Sequence, residues 1–147
     1  MGMSGLLIET STAWIDVAVT LLRLFVGPCF VVHALGKLGV VGPGNMRGFV
    51  RWLDSLGIPY PAVQARMAML SELVGGSLLT VGWLTRPACL LLAFTMIVAA
   101  MIGHKGGGYL ITNTPQGAEY TINLAAICIA LALLGPGPYS LDALMFR

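Results

Sequence analysis

Charge is scarce in this chain: 10% of its 147 residues are Asp, Glu, Lys or Arg, against about 25% in an ordinary soluble domain. So few charges cannot clothe a water-facing surface. With 57% hydrophobic residues and a mean hydropathy of +0.87, the composition indicates an integral membrane protein. The basic excess is small, a net charge of +2 from dispersed residues, which excludes the clustered footprint of a nucleic-acid partner. Cysteine is also scarce. Cys29, Cys89 and Cys128 lie far apart inside apolar runs, with no Cys-x-x-Cys and no Cys/His spacing for zinc. They read as small packing residues, the alternative being a disulfide or a sulfur-carrying thiol. The glycines at 106–108 follow no strand and precede no Gly-Lys-Ser/Thr, so a phosphate loop is excluded. No Lys or Arg precedes Arg23 and no small-residue cleavage site follows the first apolar run. A removable signal peptide is therefore not expected. No internal repeat or second domain interrupts 1–147, which reads as a single membrane domain.

What the chain does contain is apolar runs long enough to cross a bilayer, which takes about 20 helical residues. Four spans are predicted, at about 13–38, 62–84, 88–104 and 117–134. Ser11 or Thr12 can cap the first. Glycines and Pro43 make 39–45 a turn, the segment Thr85, Arg86 and Pro87 reads as a tight connection, and Gly135 to Pro138 stop the last span. Ser140 can cap a short tail. Between the first two spans, Met46, Phe49, Val50, Leu53 and Leu56 recur at helical spacing, with Arg47, Arg51 and Asp54 on the other side. This stretch is too short to span. It fits either an amphipathic helix in the membrane interface, with Trp52 at the headgroups, or a helix docked on the bundle.

The predicted architecture is all-α, a transmembrane antiparallel four-helix bundle with a short interfacial helix after the first span. Lys37, Arg47, Arg51, Arg66 and Lys105 flank the two longer connections, while Arg86 and Arg147 lie on the other side with Glu9, Asp16 and Asp142. The positive-inside rule then places the longer connections in the cytoplasm and the termini outside.

Glu72 sits near the middle of the second run, where an ionised side chain costs about 2.5 kcal/mol or more and needs a partner or a purpose. At about 1.5 Å per residue, Arg23, Glu72 and Asn123 share one depth. They are predicted to form a buried polar network in which Arg23 pairs with Glu72. Nearer one interface, His33, Lys37, His104 and Glu119 fall together, with Tyr120 beside Glu119. Glu119 and Asn123, four apart, would link the two levels. Titratable groups under an apolar wall suit a quinone headgroup, whose carbonyls accept hydrogen bonds and whose reduction requires protons. Two alternatives stand beside this: His33 and His104 as axial haem ligands, or interface histidines bonded to carboxylates or headgroups. The eight methionines are dispersed and read as gap-fillers rather than copper ligands.

Several stretches carry a family likeness. They are Leu22-Arg23-Leu24 through Gly27 and His33 to Lys37-Leu38, then Ser71-Glu72-Leu73-Val74-Gly75-Gly76, Leu84-Thr85-Arg86, His104 and Glu119-Tyr120. The run Gly135-Pro136-Gly137-Pro138-Tyr139-Ser140-Leu141-Asp142 completes the pattern. In this order the chain resembles the DoxX family of small four-helix membrane proteins, and departs from it at Ala34-Leu35, where many relatives have glycine. The resemblance implies a bacterial-type inner membrane location and either of two roles. One is quinone-coupled oxidation with a redox partner, as in the small subunit of thiosulfate:quinone oxidoreductase or a membrane complex that gathers thiol and superoxide defence enzymes. The other is assembly support for other membrane proteins. The residues thus support two functions: a quinone-binding oxidoreductase subunit acting with a partner, or a non-catalytic scaffold whose buried charges hold the bundle.

Overall fold

Only helices occur as regular elements among the described residues, 11–146, of the computed structural model. Helix α1 is Thr12–Leu38, α2 Met46–Ser55, α3 Pro61–Val81, α4 Thr85–Val98, α5 Glu119–Leu134 and α6 Leu141–Phe146. A π-helical turn, Ala99–Gly103, continues α4. Glu9 and Arg147, both used in the charge asymmetry, lie outside the described residues.

Local chemistry accounts for most boundaries. Gly39, at φ 79°, ends α1, and the Val40 N–H closes back on Leu35 O at 3.0 Å, a glycine-terminated C-cap. The Asn45 side chain caps α2 by accepting from the Gly48 N–H at 2.8 Å. The Ser140 hydroxyl accepts from Ala143 N at 3.1 Å at the start of α6. Ser11 precedes α1, but its side chain makes no capping bond. Pro61 opens α3, where a missing N–H costs nothing because the first turn has no intrahelical acceptor.

One boundary differs from the pattern. Gly82, at φ 70°, stops α3 before Leu84, and Thr85, Arg86 and Pro87 form the first turn of α4 rather than a connection. The link is 82–84, with Leu84 itself in the left-handed region at φ 48°. Proline fits there because a first-turn N–H lacks an acceptor in any case, so Pro87 marks a helix start.

Among the described residues two helices are long and apolar enough to cross a membrane: Thr12–Leu38, mean hydropathy 2.0, and Thr85–Gly103, mean hydropathy 1.9. Helix α5 is apolar but shorter, and α3 carries Arg66 and Glu72. Helix α1 packs along α3, α4 packs against both α3 and α5, and α2 lies on α3. The core where they meet includes Val19, Val26, Phe30, Leu79, Leu92, Met96, Leu124 and Leu131. Adjacent glycines of α3 serve two neighbours. A Cβ on Gly76 would lie 2.7 Å from Gly27 O of α1, and one on Gly75 would lie 2.9 Å from the Leu92 side chain of α4. Small residues here let helix backbones approach closely. Ser77, the next residue, is exposed and its hydroxyl donates to Leu73 O.

Candidate functional site

The glycine crossing sets the register of α1 on α3, and the register decides which charges meet. Gly27 faces Gly76 and Thr80, so Arg23, one turn earlier, lies level with Gly82. Glu72, one turn before Gly76, lies toward the C-terminal half of α1. The expected Arg23–Glu72–Asn123 network is therefore not formed. The helices are displaced along their axes, so residues equally distant from their span ends do not share a depth.

Glu72 instead pairs with Lys37, the only ion pair among the described residues. The Glu72 side chain is 5% exposed and that of Lys37 19%, so the carboxylate is the more deeply buried of the two. Arg23, 2% exposed, gives Nη1 to Pro136 O and Nη2 to Tyr139 O at 2.8 Å. The carbonyls of a Gly/Pro segment have no helical donors, which leaves them free to accept from a buried guanidinium. Gly82 makes room for it, since a Cβ there would sit 2.7 Å from the guanidinium carbon. Asn123 is exposed and bonds neither charge, its Oδ1 accepting from the Tyr109 hydroxyl at 3.4 Å.

Of the predicted pocket residues, the structure brings His33, Lys37 and Tyr120 together and takes His104 and Glu119 elsewhere. His33 Nε2 and the Tyr120 hydroxyl are 2.8 Å apart, and the same hydroxyl meets Cys29 Sγ at 2.7 Å. The His33 and Tyr120 rings are tilted at 39° with centroids 5.3 Å apart. Cys29, His33 and Lys37 are spaced i, i+4, i+8 and line one side of α1. Cys29 is thus not merely a packing residue; its periodic spacing with His33 and Lys37 is the sequence signal for it. Cys89 and Cys128 are fully buried in the core, and all three thiols are free.

His104 and Glu119 organise the connection before α5. His104 Nδ1 lies 3.1 Å from Gln116 O, and Glu119 Oε2 accepts from Ile111 N at 3.1 Å. Glu119 and Asn123 both bond the 109–111 segment, so their shared face secures that connection rather than linking two polar levels. His33 and His104 are held by different partners and do not converge on one site, which does not fit bis-histidine haem ligation. No group of three or more His, Cys, Asp or Glu able to hold a metal occurs among the described residues.

An open cleft of about 580 Å³ lies beside this cluster, between the end of α1, the 39–45 turn and the start of α2. His33, Gly36 and Lys37 form one wall, and Asn45, Gly48 and Phe49 another. The Lys37 ammonium stands 5.3 Å from the Phe49 ring centre, a cation–π distance. Phe49 stacks on Trp52 at 5.8 Å. The Trp52 ring in turn packs at Gly103 in the π-helical turn, where a Cβ would come within 2.8 Å of it. The cleft thus presents a cation held by a buried carboxylate, an imidazole tied to a phenol, and an aromatic face.

Asp142 joins the tail to the start of α4. Its carboxylate accepts from Leu84 N at 2.7 Å and Thr85 N at 2.9 Å, capping α4 from the distant tail. Burial alone would raise its pKa, but the amide bonds from Thr85 and Leu84 and the nearby Arg23 charge hold it below the usual aspartate range.

The stretch 18–105, which holds Cys29, His33, Lys37 and Glu72 but not Tyr120, matches the DoxX family. The chain is 32% identical to "Inner membrane protein YphA" of Escherichia coli over 111 residues, 70% of this chain and 78% of that protein. It is 32% identical to "Putative oxidoreductase CatD" of Bacillus subtilis over 132 residues, 90% of each. With "Inner membrane protein YqjF" of Escherichia coli it shares 25% identity over 135 residues, 88% of this chain and 93% of that protein. No solved structure matches. An apolar all-helical fold, a family match across most of its helices and relatives covered over most of their length lead to one conclusion: this chain is a membrane protein belonging to the DoxX family.

Proposed function

We propose that this chain is an integral membrane subunit of a quinone-linked redox system and binds the quinone headgroup in the cleft beside His33 and Lys37. In this reading α1, α3, α4 with its π-helical turn, and α5 cross the bilayer as a four-helix bundle, and α2 lies at the interface. The observation that carries it is the composition of the cleft: two hydrogen-bonding groups on one turn of α1 facing an aromatic ring across about 580 Å³. Lys37 and His33 donate to the quinone carbonyls, and Phe49 gives the cleft an apolar wall. Reduction to the quinol takes two electrons and two protons. The electrons come from a partner that carries a redox group, and the His33–Tyr120 pair lies where a proton can be passed on. The name of CatD, an oxidoreductase by its wording, accords with this chemistry. Purified protein in lipid nanodiscs, titrated with short-chain ubiquinone and menaquinone analogues, is expected to bind at least one of them and to bind it more weakly after Lys37→Met. Failure of every analogue sinks the reading.

A second reading, a non-catalytic scaffold or assembly partner, draws on the Lys37–Glu72 pair, which ties α1 to α3 and satisfies both charges without a ligand. It predicts that Glu72→Gln lowers stability or partner recovery while quinone turnover in intact membranes is unchanged. In either case the longer connections face the cytoplasm and the termini face out; a C-terminal alkaline phosphatase fusion should be active, and an inactive fusion with an active cytoplasmic reporter reverses the orientation.

A further inference from the structure

A second groove, of about 520 Å³, opens between α2 and α3, lined by Met46, Arg47, Val50, Arg51 and Arg66. It shares no lining residue with the cleft at His33 and Lys37. Arg47 and Arg51 are four apart on α2 and so stand on one side of it, and Arg66 comes from the second turn of α3, which packs against α2. All three are exposed, and the single ion pair among the described residues involves none of them. No carboxylate lines the groove. Asp54, on the same side of α2, forms no ion pair with any of them; like charges gathered this way repel, and an anion between them removes that repulsion.

The surroundings narrow the kind of anion. Met46 and Val50 give the groove an apolar part. Beside Arg66, along the outside of α3, Val63, Met67 and Leu70 are exposed at 52%, 61% and 50%. A ligand that satisfies both surfaces carries an anionic head and an apolar tail.

We propose that this groove binds an anionic phospholipid, with its phosphodiester held by Arg47, Arg51 and Arg66 and an acyl chain lying on the Val63, Met67 and Leu70 stripe. Guanidinium groups suit this task because their planar fork donates paired hydrogen bonds to phosphate oxygens. A zwitterionic headgroup carries the same phosphate but adds a cation that three arginines oppose, so the groove discriminates by charge. The inference stands apart from the quinone reading, since neither site needs the other.

Native mass spectrometry of the full chain in mild detergent, supplied with equal phosphatidylglycerol and phosphatidylcholine, tests it. Phosphatidylglycerol adducts should predominate, and each Arg→Gln change in the groove should weaken their binding about fivefold. The triple variant R47Q/R51Q/R66Q should show no preference, while Arg86→Gln, outside the groove, keeps it. Circular dichroism establishes that each variant is folded, and the single variants carry the test if the triple one is not. Equal adducts of both lipids on the unaltered protein, or a preference that survives the folded groove variants, overturns the proposal. Inorganic phosphate and glycerol phosphate form the final arm: if they bind as tightly as the lipid and lose binding in the same variants, the ligand is a soluble anion and the lipid assignment fails.

Discussion

At the scale of single residues, the pairing of Glu72 with Lys37 explains how a carboxylate is tolerated deep in an apolar helix. Removing one member of a buried pair leaves the other charge uncompensated, which is worse than removing both. Glu72→Gln should therefore destabilise the protein by about 3 kcal/mol, and the double change Glu72→Gln with Lys37→Gln should recover part of that loss. Thermal unfolding in detergent measures both; a double variant less stable than either single one would contradict the pairing. Arg23 follows a different rule. Its acceptors are carbonyls of the 135–140 segment rather than a carboxylate, so it ties α1 to the tail and not to the centre of α3.

Between elements, the α1–α3 crossing is the contact on which the site depends. A methyl group on Gly27 would meet Gly76 O at 2.8 Å, a backbone atom that cannot move aside by rotating. Gly27→Ala should thus cost about 1–3 kcal/mol through overpacking. Gly36→Ala is the contrasting case, because its Cβ would meet nothing nearer than Val41 O at 3.6 Å. That change should be neutral or stabilising by up to about 1 kcal/mol from helix propensity, and a chemical denaturation series would separate the two. The cap that α6 supplies to α4 is a second dependence between elements. Because the folded pKa of Asp142 is depressed, its contribution is present at neutral pH and is lost as pH falls through the folded value, below about pH 4. Asp142→Ala should cost about 1 kcal/mol at pH 7, and the gap between variant and parent melting temperatures should close in acid.

For the molecule as a whole, the outward faces are apolar: Phe25, Phe94 and Leu133 are 75%, 65% and 77% exposed. Exposed apolar groups of this size suit contact with lipid. Phe94 is the central residue of Thr85–Gly103, so in the proposed bundle Phe94→Lys places a charge at mid-depth, at about 2.5–3.5 kcal/mol on insertion scales. The fraction resistant to carbonate extraction should fall, whereas Lys105→Glu, in the connection beyond that helix, should leave it unchanged.

Composition and hydrophobic patterning were enough to specify helices, their approximate extents and a membrane setting, because these follow from local backbone preference and from burial of apolar area, both properties of contiguous sequence. The i, i+4, i+8 line of Cys29, His33 and Lys37 was equally present in the sequence, since helix geometry alone puts such residues on one side. Partner choice was not. Whether Arg23 or Lys37 reaches Glu72 depends on how far α1 slides along α3, and that offset is set where Gly27 and Gly76 let the two backbones touch. Likewise, His104 and Glu119 share a depth with His33 in a ladder of spans, yet the fold of the connection before α5 claims them. Axial register and loop closure arise from contacts between distant segments, so the chemistry of the cleft emerges only once the helices have packed.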